Sequence, residues 1–321
     1  KEILFLISSI ILLSPFYRTT AYWGMEINYA IITMLISCYY FLILSFEKEN
    51  KNFKNIFLLI FFSSITLYFD QKFLFLPMLI FLKIVISKLS SKFKIYTILL
   101  YSFLALPYIY LIDFWGGVVP IKTQEANPNT ITTLNRVSNF YFYNLGYAST
   151  IIGFYLFPLL FFRENNLFKM IKDFFKNKNY YLIFLIPFIY IICLYNTVDY
   201  NFYTKEEYWV GLGIVHKLAI ILFDNLKLQE VFTYIMFVLS WLVIFLFIEL
   251  KTRDLLILSF FFILQLFIWP MMQEYFDLVI TISAFLLFRT KIKPTNKNSL
   301  FLILYSSVFL ITANIYYFKI L

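Results

Sequence analysis

The sequence predicts an all-α fold, a polytopic transmembrane helical bundle, and three observations predict it. Of 321 residues, 62% are hydrophobic and only 14% are charged, against roughly half and roughly a quarter in a soluble domain. Apolar runs recur from end to end, which separates the chain from a soluble protein carrying one anchor. The cations, with a net charge of +9, sit in short loops between those runs. They read as a topology signal rather than a basic face for nucleic acid.

The candidate spans are 3–13, 27–46, 56–69, 73–87, 95–115, 138–162, 180–198, 231–250, 255–269, 278–288 and 299–320. The first, ILFLISSIILL, is too short to cross about 30 Å of hydrocarbon. The chain opens on Lys1-Glu2-Ile3 with neither Met nor a signal peptide, so the expectation is an N-terminally incomplete chain. Residues 27–46 follow Glu26 as an unbroken apolar run. The runs 56–69 and 73–87 form a short pair split by Asp70-Gln71-Lys72. The run 95–115 closes on Asp113 and Trp115 before Gly116-Gly117, and 138–162 and 180–198 flank a basic loop. A second short pair, 255–269 and 278–288, is split by WPMMQEYFD. Short or broken segments persist where their backbone is buried in protein or lines a watery cavity. The run 208–223, YWVGLGIVHKLAIILF, carries His216 and Lys217 at its centre. It reads as a re-entrant or interfacial helix. The organisation is then one polytopic domain over 1–321, with 116–137 and 199–230 as noncytoplasmic loop or re-entrant elements.

Loop charges test that assignment. The loops 47–55, 88–94, 163–179, 251–254 and 289–298 share one side and hold 17 Lys/Arg against 5 acids. The opposite set is 14–26, 70–72, 116–137, 199–230, 270–277 and the C-terminal tail. There acids outnumber the 8 Lys/Arg. Lysine and arginine excess marks the cytoplasmic side. Counting 208–223 as a crossing would invert the later loops and lose the bias.

The out-of-place polar residues gather on the noncytoplasmic side: Arg18 and Glu26, Asp70-Gln71-Lys72, Asp113, Gln124-Glu125, His216-Lys217, Gln273-Glu274 and Asp277. Charges near membrane depth usually face a cavity or one another. Each also has a plain structural reading. Asp70 and Lys72 could form a simple turn with a snorkelling lysine, Arg18 and Glu26 an interfacial pair, and His216 a packed side chain. Gly116-Gly117 suits a loop turn, and Trp115, Trp209 and Trp269 suit the aromatic belt. Cys38 and Cys193 lie in apolar runs without metal-ligand spacing. Walker, dinucleotide-binding, GxSxG and HExxH motifs are absent from the sequence, which argues against an ATP-driven pump. No inverted repeat favours a secondary transporter, and no pore-lining repeat favours a channel.

A cleft of carboxylates, cations and aromatics suits a sugar acceptor beside a lipid-borne phosphate. Cations hold phosphate, a carboxylate deprotonates an acceptor hydroxyl, and developing charge on the leaving phosphate needs a Lys, an Arg or a metal. Glu26, Asp70 and Glu125 are the expected catalytic acids. Arg18, Gln71, Lys72, His216, Lys217 and Glu274 are the expected substrate-binding groups. No cofactor is read from the sequence, and a divalent metal is left open. The expected partners are membrane lipid, a polyprenyl-phosphate sugar and a glycan or lipid-linked acceptor, with no nucleic acid. A carrier or flippase of a lipid-linked sugar is the alternative, and a non-enzymatic membrane scaffold a third reading.

Four stretches carry a family resemblance. They are SPFYRTTAYWGMEINYAIITMLISCYYF, SSITLYFDQKFLFLP, LPYIYLIDFWGGVVPIKTQEANP and WPMMQEYFDLVITI. In order and spacing they resemble the GT-C class of polytopic glycosyltransferases, and within it the dolichyl-phosphate-glucose-dependent alpha-1,2-glucosyltransferases. Glu26, Gln71, Gly116, Gly117, Glu125, Ala126, Pro270, Tyr275 and Phe276 match the family's pattern. Asp70 and Glu274 stand where it has Arg, and Gln124 where it has His. The resemblance implies a GT-C-like bundle and hexosyl transfer with inversion at the noncytoplasmic face. It also implies an acidic first external loop, which would fall upstream of Lys1.

Overall fold

The computed structural model describes residues 12–17, 26–44, 53–115, 140–163, 167–176, 178–194, 198, 211–248, 252–266, 268, 271–277, 279–290 and 292–317. Among them the regular structure is helical, apart from an isolated antiparallel bridge between Arg163 and Ile292. Among the described residues four helices are long and apolar enough to cross a membrane: Ser91–Trp115, Asn144–Phe162, Leu226–Phe247 and Asn296–Ile315. That set fits a membrane protein. The chain divides into two compact units, one of residues 24–140 and one of residues 1–23 with 141–321.

The first unit holds α1 (Ile27–Ile43), α2 (Phe53–Phe69), α3 (Phe75–Ile86) and α4 (Ser91–Trp115). Helix α1 buries Ala30, Met34, Ser37, Cys38 and Phe41, a stripe at helical spacing, and packs against α2. Tyr29 stacks on Phe69 at 5.5 Å, so Glu26 and Asp70 lie at the same end of this antiparallel pair. Phe53 against Phe93 and Tyr68 against Tyr108 set α4 parallel to α2. Hydroxyls join the helices. Thr66 Oγ1 donates to Thr33 Oγ1 at 2.9 Å, Ser63 Oγ and Tyr101 Oη are 3.0 Å apart, and Tyr68 Oη donates to the Leu104 carbonyl. Such bonds between membrane helices are worth about 0.6 kcal/mol each. Helix α4 buries only Phe93 and Thr97. An apolar helix left that bare is ordinary against lipid and an aggregation liability in water.

The expected short pair at 56–69 and 73–87 is α2 and α3. The Asp70 amide bonds the Thr66 carbonyl at 3.1 Å, and the Phe73 amide bonds the Asp70 carbonyl at 3.1 Å. A 3₁₀ turn, Gln71–Leu74, then leads into α3. At 1.5 Å per residue, the 12-residue α3 reaches only about 18 Å.

The second unit holds α5 (Asn144–Leu156), α6 (Leu167–Lys176), α7 (Leu182–Cys193), α8 (Gly213–Leu222), α9 (Leu226–Phe247), α10 (Thr252–Gln265), α11 (Val279–Leu286) and α12 (Asn296–Tyr317). Helix α5 is central, and its sequence explains why. Asn144, Gly146, Ala148, Ser149, Thr150 and Gly153 are small or polar, and all are buried. Small residues let helices approach closely where lipid supplies no hydrophobic drive. A Cβ on Gly153 would lie 2.9 Å from Ser240 Cα of α9, and one on Gly146 would lie 2.3 Å from the Tyr190 ring of α7. Pro158 opens the 3₁₀ extension Phe157–Phe162 at a position where its missing N–H is tolerated.

The end of this unit that carries the basic loops is tied by hydrogen bonds. Arg163 Nη1 donates to the Leu246 carbonyl and, at 3.1 Å, to the Phe247 carbonyl at the close of α9. Buried Asp254, in the first turn of α10, accepts the Arg289 amide at 2.9 Å. The Lys293 amide bonds the Phe162 carbonyl at 2.8 Å. Arg163, Asp254, Arg289 and Lys293, from loops predicted to share a side, therefore meet at one end of the unit. Helix α6, inside the predicted basic loop 163–179, was not expected from the sequence.

Candidate functional site

One face of α5 organises the opposite half of the second unit. Positions 144, 147, 151 and 155 recur at intervals of three and four, so they share a helix face. Each lies beside a distant segment. Asn144 Nδ2 donates to the carbonyls of Gln265 at 2.8 Å and Ile268 at 2.7 Å. Tyr147 meets the His216 ring edge-on at 5.8 Å. Ile151 borders Gly213, whose neighbourhood includes Gln273. Tyr155 lines a cavity with Asp277.

From Asn144 to Tyr155 is eleven residues, or about 16 Å of helix axis. Residues 266, 268 and 271–277 run from beside the first to the second, and the regular structure among them is the 3₁₀ turn Gln273–Tyr275. Irregular backbone at such depth needs partners from the protein or a lined cavity, and it has both. The Leu212 amide bonds the Met271 carbonyl at 2.8 Å, and the Ile214 amide bonds Gln273 Oε1 at 3.0 Å. The descending segment thus caps the start of α8 with its own side chain.

The α8 entry is strained. Gly211, Leu212 and Gly213 have φ of 91°, 55° and 77°. Glycine takes such angles freely, but Leu212 is the only non-glycine with positive φ among the described residues. It is also fully buried. A leucine held there costs of order 1–3 kcal/mol and persists because its surroundings over-determine it.

At the foot of the descent, Asp277 is 7% exposed and accepts a hydrogen bond from Ser14 Oγ. The Ser14 hydroxyl also receives the Tyr17 amide at 2.9 Å. A cavity of about 30 Å³ adjoins the carboxylate, enough for roughly one water. Tyr155, Thr281, Tyr305 and Ser306 are among its lining residues, and Phe154, Pro158 and Phe309 help make the wall largely apolar. Tyr305 Oη is committed to the Phe154 carbonyl at 3.0 Å. A carboxylate in this setting can accept a proton or hold a cation beside hydroxyl oxygens.

Helix α8 has ten residues, too short to span, and places a histidine and a lysine side by side. His216 is 4% exposed. Burial, and secondarily the Lys217 charge, lower its imidazole to about 4, so it is neutral at pH 7. Burial lowers the Lys217 ammonium to about 8.

The structure brings together three of the segments predicted to share the noncytoplasmic side: 14–26 through Ser14, 199–230 through α8, and 270–277 through Gln273 and Asp277. His216 and Lys217 belong to this assembly. Glu274 is half-buried on the descending segment. Glu26, exposed at the head of α1, and Asp70, half-buried at the α2 turn, belong to the other unit. Gln71 and Lys72 lie on the turn beside Asp70. Arg18 and Glu125 lie outside the described residues. Among the described residues no three His, Cys, Asp or Glu side chains cluster as a metal site. Sequence reasoning missed Ser14 and Tyr155 as site residues and named Asp277 only among polar residues. The spacing of Gln273 and Asp277, four apart in an apolar stretch, was the available signal.

The chain matches no protein-family model, no curated protein and no solved structure. The functional reading therefore stands on the residues themselves and on the four resembling stretches.

Proposed function

We propose that this chain is a polytopic, GT-C-like membrane glycosyltransferase. It moves a hexose from a polyprenyl-phosphate carrier to a glycan or lipid-linked acceptor at the noncytoplasmic face. The observation that carries the reading is the course of residues 271–277 along α5, which sets a buried carboxylate beside a cavity and near the helix that bears Lys217. Ionisable groups at membrane depth are functional candidates by default.

The chemistry asks for few parts. An acceptor hydroxyl attacks the anomeric carbon, its proton passes to a carboxylate, and the carbon–oxygen bond to the lipid phosphate breaks. Asp277 is the acid this unit offers for that proton, with Ser14 orienting it. Lys217, and neutral His216 as a hydrogen-bond donor, suit the leaving phosphate. Glu26 and Asp70 at their shared end, and Glu125, remain proposed acids. Arg18, Gln71, Lys72 and Glu274 remain proposed substrate contacts. Exposed aromatics such as Tyr29 suit sugar stacking or a prenyl tail.

The test is transfer from a labelled polyprenyl-phosphate hexose in membranes carrying the full protein. Asp277→Asn should lower transfer by roughly 10²–10⁴, the usual contribution of a general base, at unchanged abundance. Glu26→Gln and Asp70→Asn should each lower transfer more than abundance. Wild-type rates in all three would remove these acids from the reaction. Carrier movement across vesicles without bond cleavage would establish the transporter alternative instead.

A further inference from the structure

Helix α6 divides cleanly around its axis. At 100° per residue, Met170, Phe174, Leu167, Ile171, Phe175 and Phe168 occupy one arc, and Lys172, Lys176, Lys169 and Asp173 the other. One edge of the apolar arc packs on the protein. Met170 is buried, and Phe174 meets Phe245 of α9 at 6.0 Å. The other edge is open to the surroundings. Phe168 is 81% exposed, Phe175 is exposed beside Tyr180 at 6.0 Å, and both border the lysine arc.

The helix joins the end of the long apolar helix Asn144–Phe162 to α7, so it lies at the edge of the apolar zone. Exposed Tyr180 and Tyr181 follow it at the head of α7. Tyrosines at that level are characteristic of a membrane–water boundary. Lys169, Lys172 and Lys176 outweigh Asp173, which pairs with Lys176 at 4.0 Å.

We propose that α6 is an in-plane surface helix that binds anionic phospholipid headgroups. Phe168 and Phe175 enter the acyl boundary while Lys169 and Lys172 meet the phosphates. Charge complementarity fixes the occupant. An acidic lipid surface satisfies both the exposed aromatics and the adjacent lysines, which is how amphipathic basic helices bind membranes. The site is independent of the transfer reaction and fits the leaflet that the loop charges assign as cytoplasmic.

The full protein in nanodiscs of phosphatidylcholine with added phosphatidylglycerol provides the test. Native mass spectrometry after release should show phosphatidylglycerol retained over phosphatidylcholine. The K169Q/K172Q/K176Q variant should lose that preference by about fivefold per lysine removed. A spin label at Phe168→Cys, in a C38S/C193S background, should be reached by oxygen rather than by a water-soluble nickel chelate. Equal lipid retention in the lysine variant would overturn the proposal. So would a chelate-accessible label, which would make this face a solvated or protein-binding surface.

Discussion

Replacing Gly213 by alanine tests the α8 entry from two directions at once. The backbone there sits at φ +77°, where an alanine costs about 1–2 kcal/mol. The added methyl would stand 2.8 Å from Ile151 Cγ1 and 2.9 Å from Cδ1, inside any normal contact. Overpacking of that kind typically costs about 1–3 kcal/mol. Alanine also restricts the unfolded chain, which returns about 0.4–1 kcal/mol. The net expectation is a loss of about 2–4 kcal/mol, read as a lowered denaturation midpoint of purified protein in micelles. The two causes separate in a double-mutant cycle. Ile151→Ala removes both clashing carbons, so the pair should be less destabilised than the sum of the singles by roughly 1–3 kcal/mol. Additivity would mean that α8 does not enter against α5. A Gly213→Ala protein as stable as the parent would refute the left-handed turn as well.

Acid should destabilise the protein through His216. Its imidazole is held near 4 when folded, against about 6.5 when unfolded. The unfolded chain therefore takes the extra proton, and stability is whole above pH 6.5 and falls as pH drops toward 4. The full loss is roughly 3 kcal/mol, and thermal scans of His216→Phe should lack that component. Asn144→Leu keeps the volume but removes both bonds to the descending segment. It should cost about 1–3 kcal/mol and speed amide exchange across 266–278. Arg163→Met frees two carbonyls at the close of α9 and should cost about 1.5–3 kcal/mol in denaturant titration, with Arg163→Lys recovering part.

The helices were legible because apolar runs bounded by polar residues leave few alternatives. The break at Asp70 became the α2 to α3 turn, and the short run at 208–223 became the ten-residue α8. Helix α6 was not legible while 163–179 was read only for its charge. Its aromatics at 168, 174 and 175 alternate with lysines at helical spacing, a pattern that charge counting ignores. Hydropathy likewise treats α4 and α5 alike, although one is bare and the other central. The difference lies in the small and polar residues of α5, which lipid would not favour. The meeting of Ser14 with Asp277 had no sequence signal, because the two are 263 residues apart. Asp70 and Glu26 sharing an end followed directly from the α1 and α2 antiparallel order.

The rungs along α5 have a consequence for biogenesis. Asn144 finds its acceptors 121 and 124 residues later in the chain. At ribosomal speeds of about 5–20 residues per second, roughly 6 to 25 seconds separate the emergence of that amide from its partners. Through that interval a helix rich in hydroxyls and an amide must wait in the bilayer half-assembled. Quality control in the cell therefore has a long opening at the helix on which the finished protein most depends.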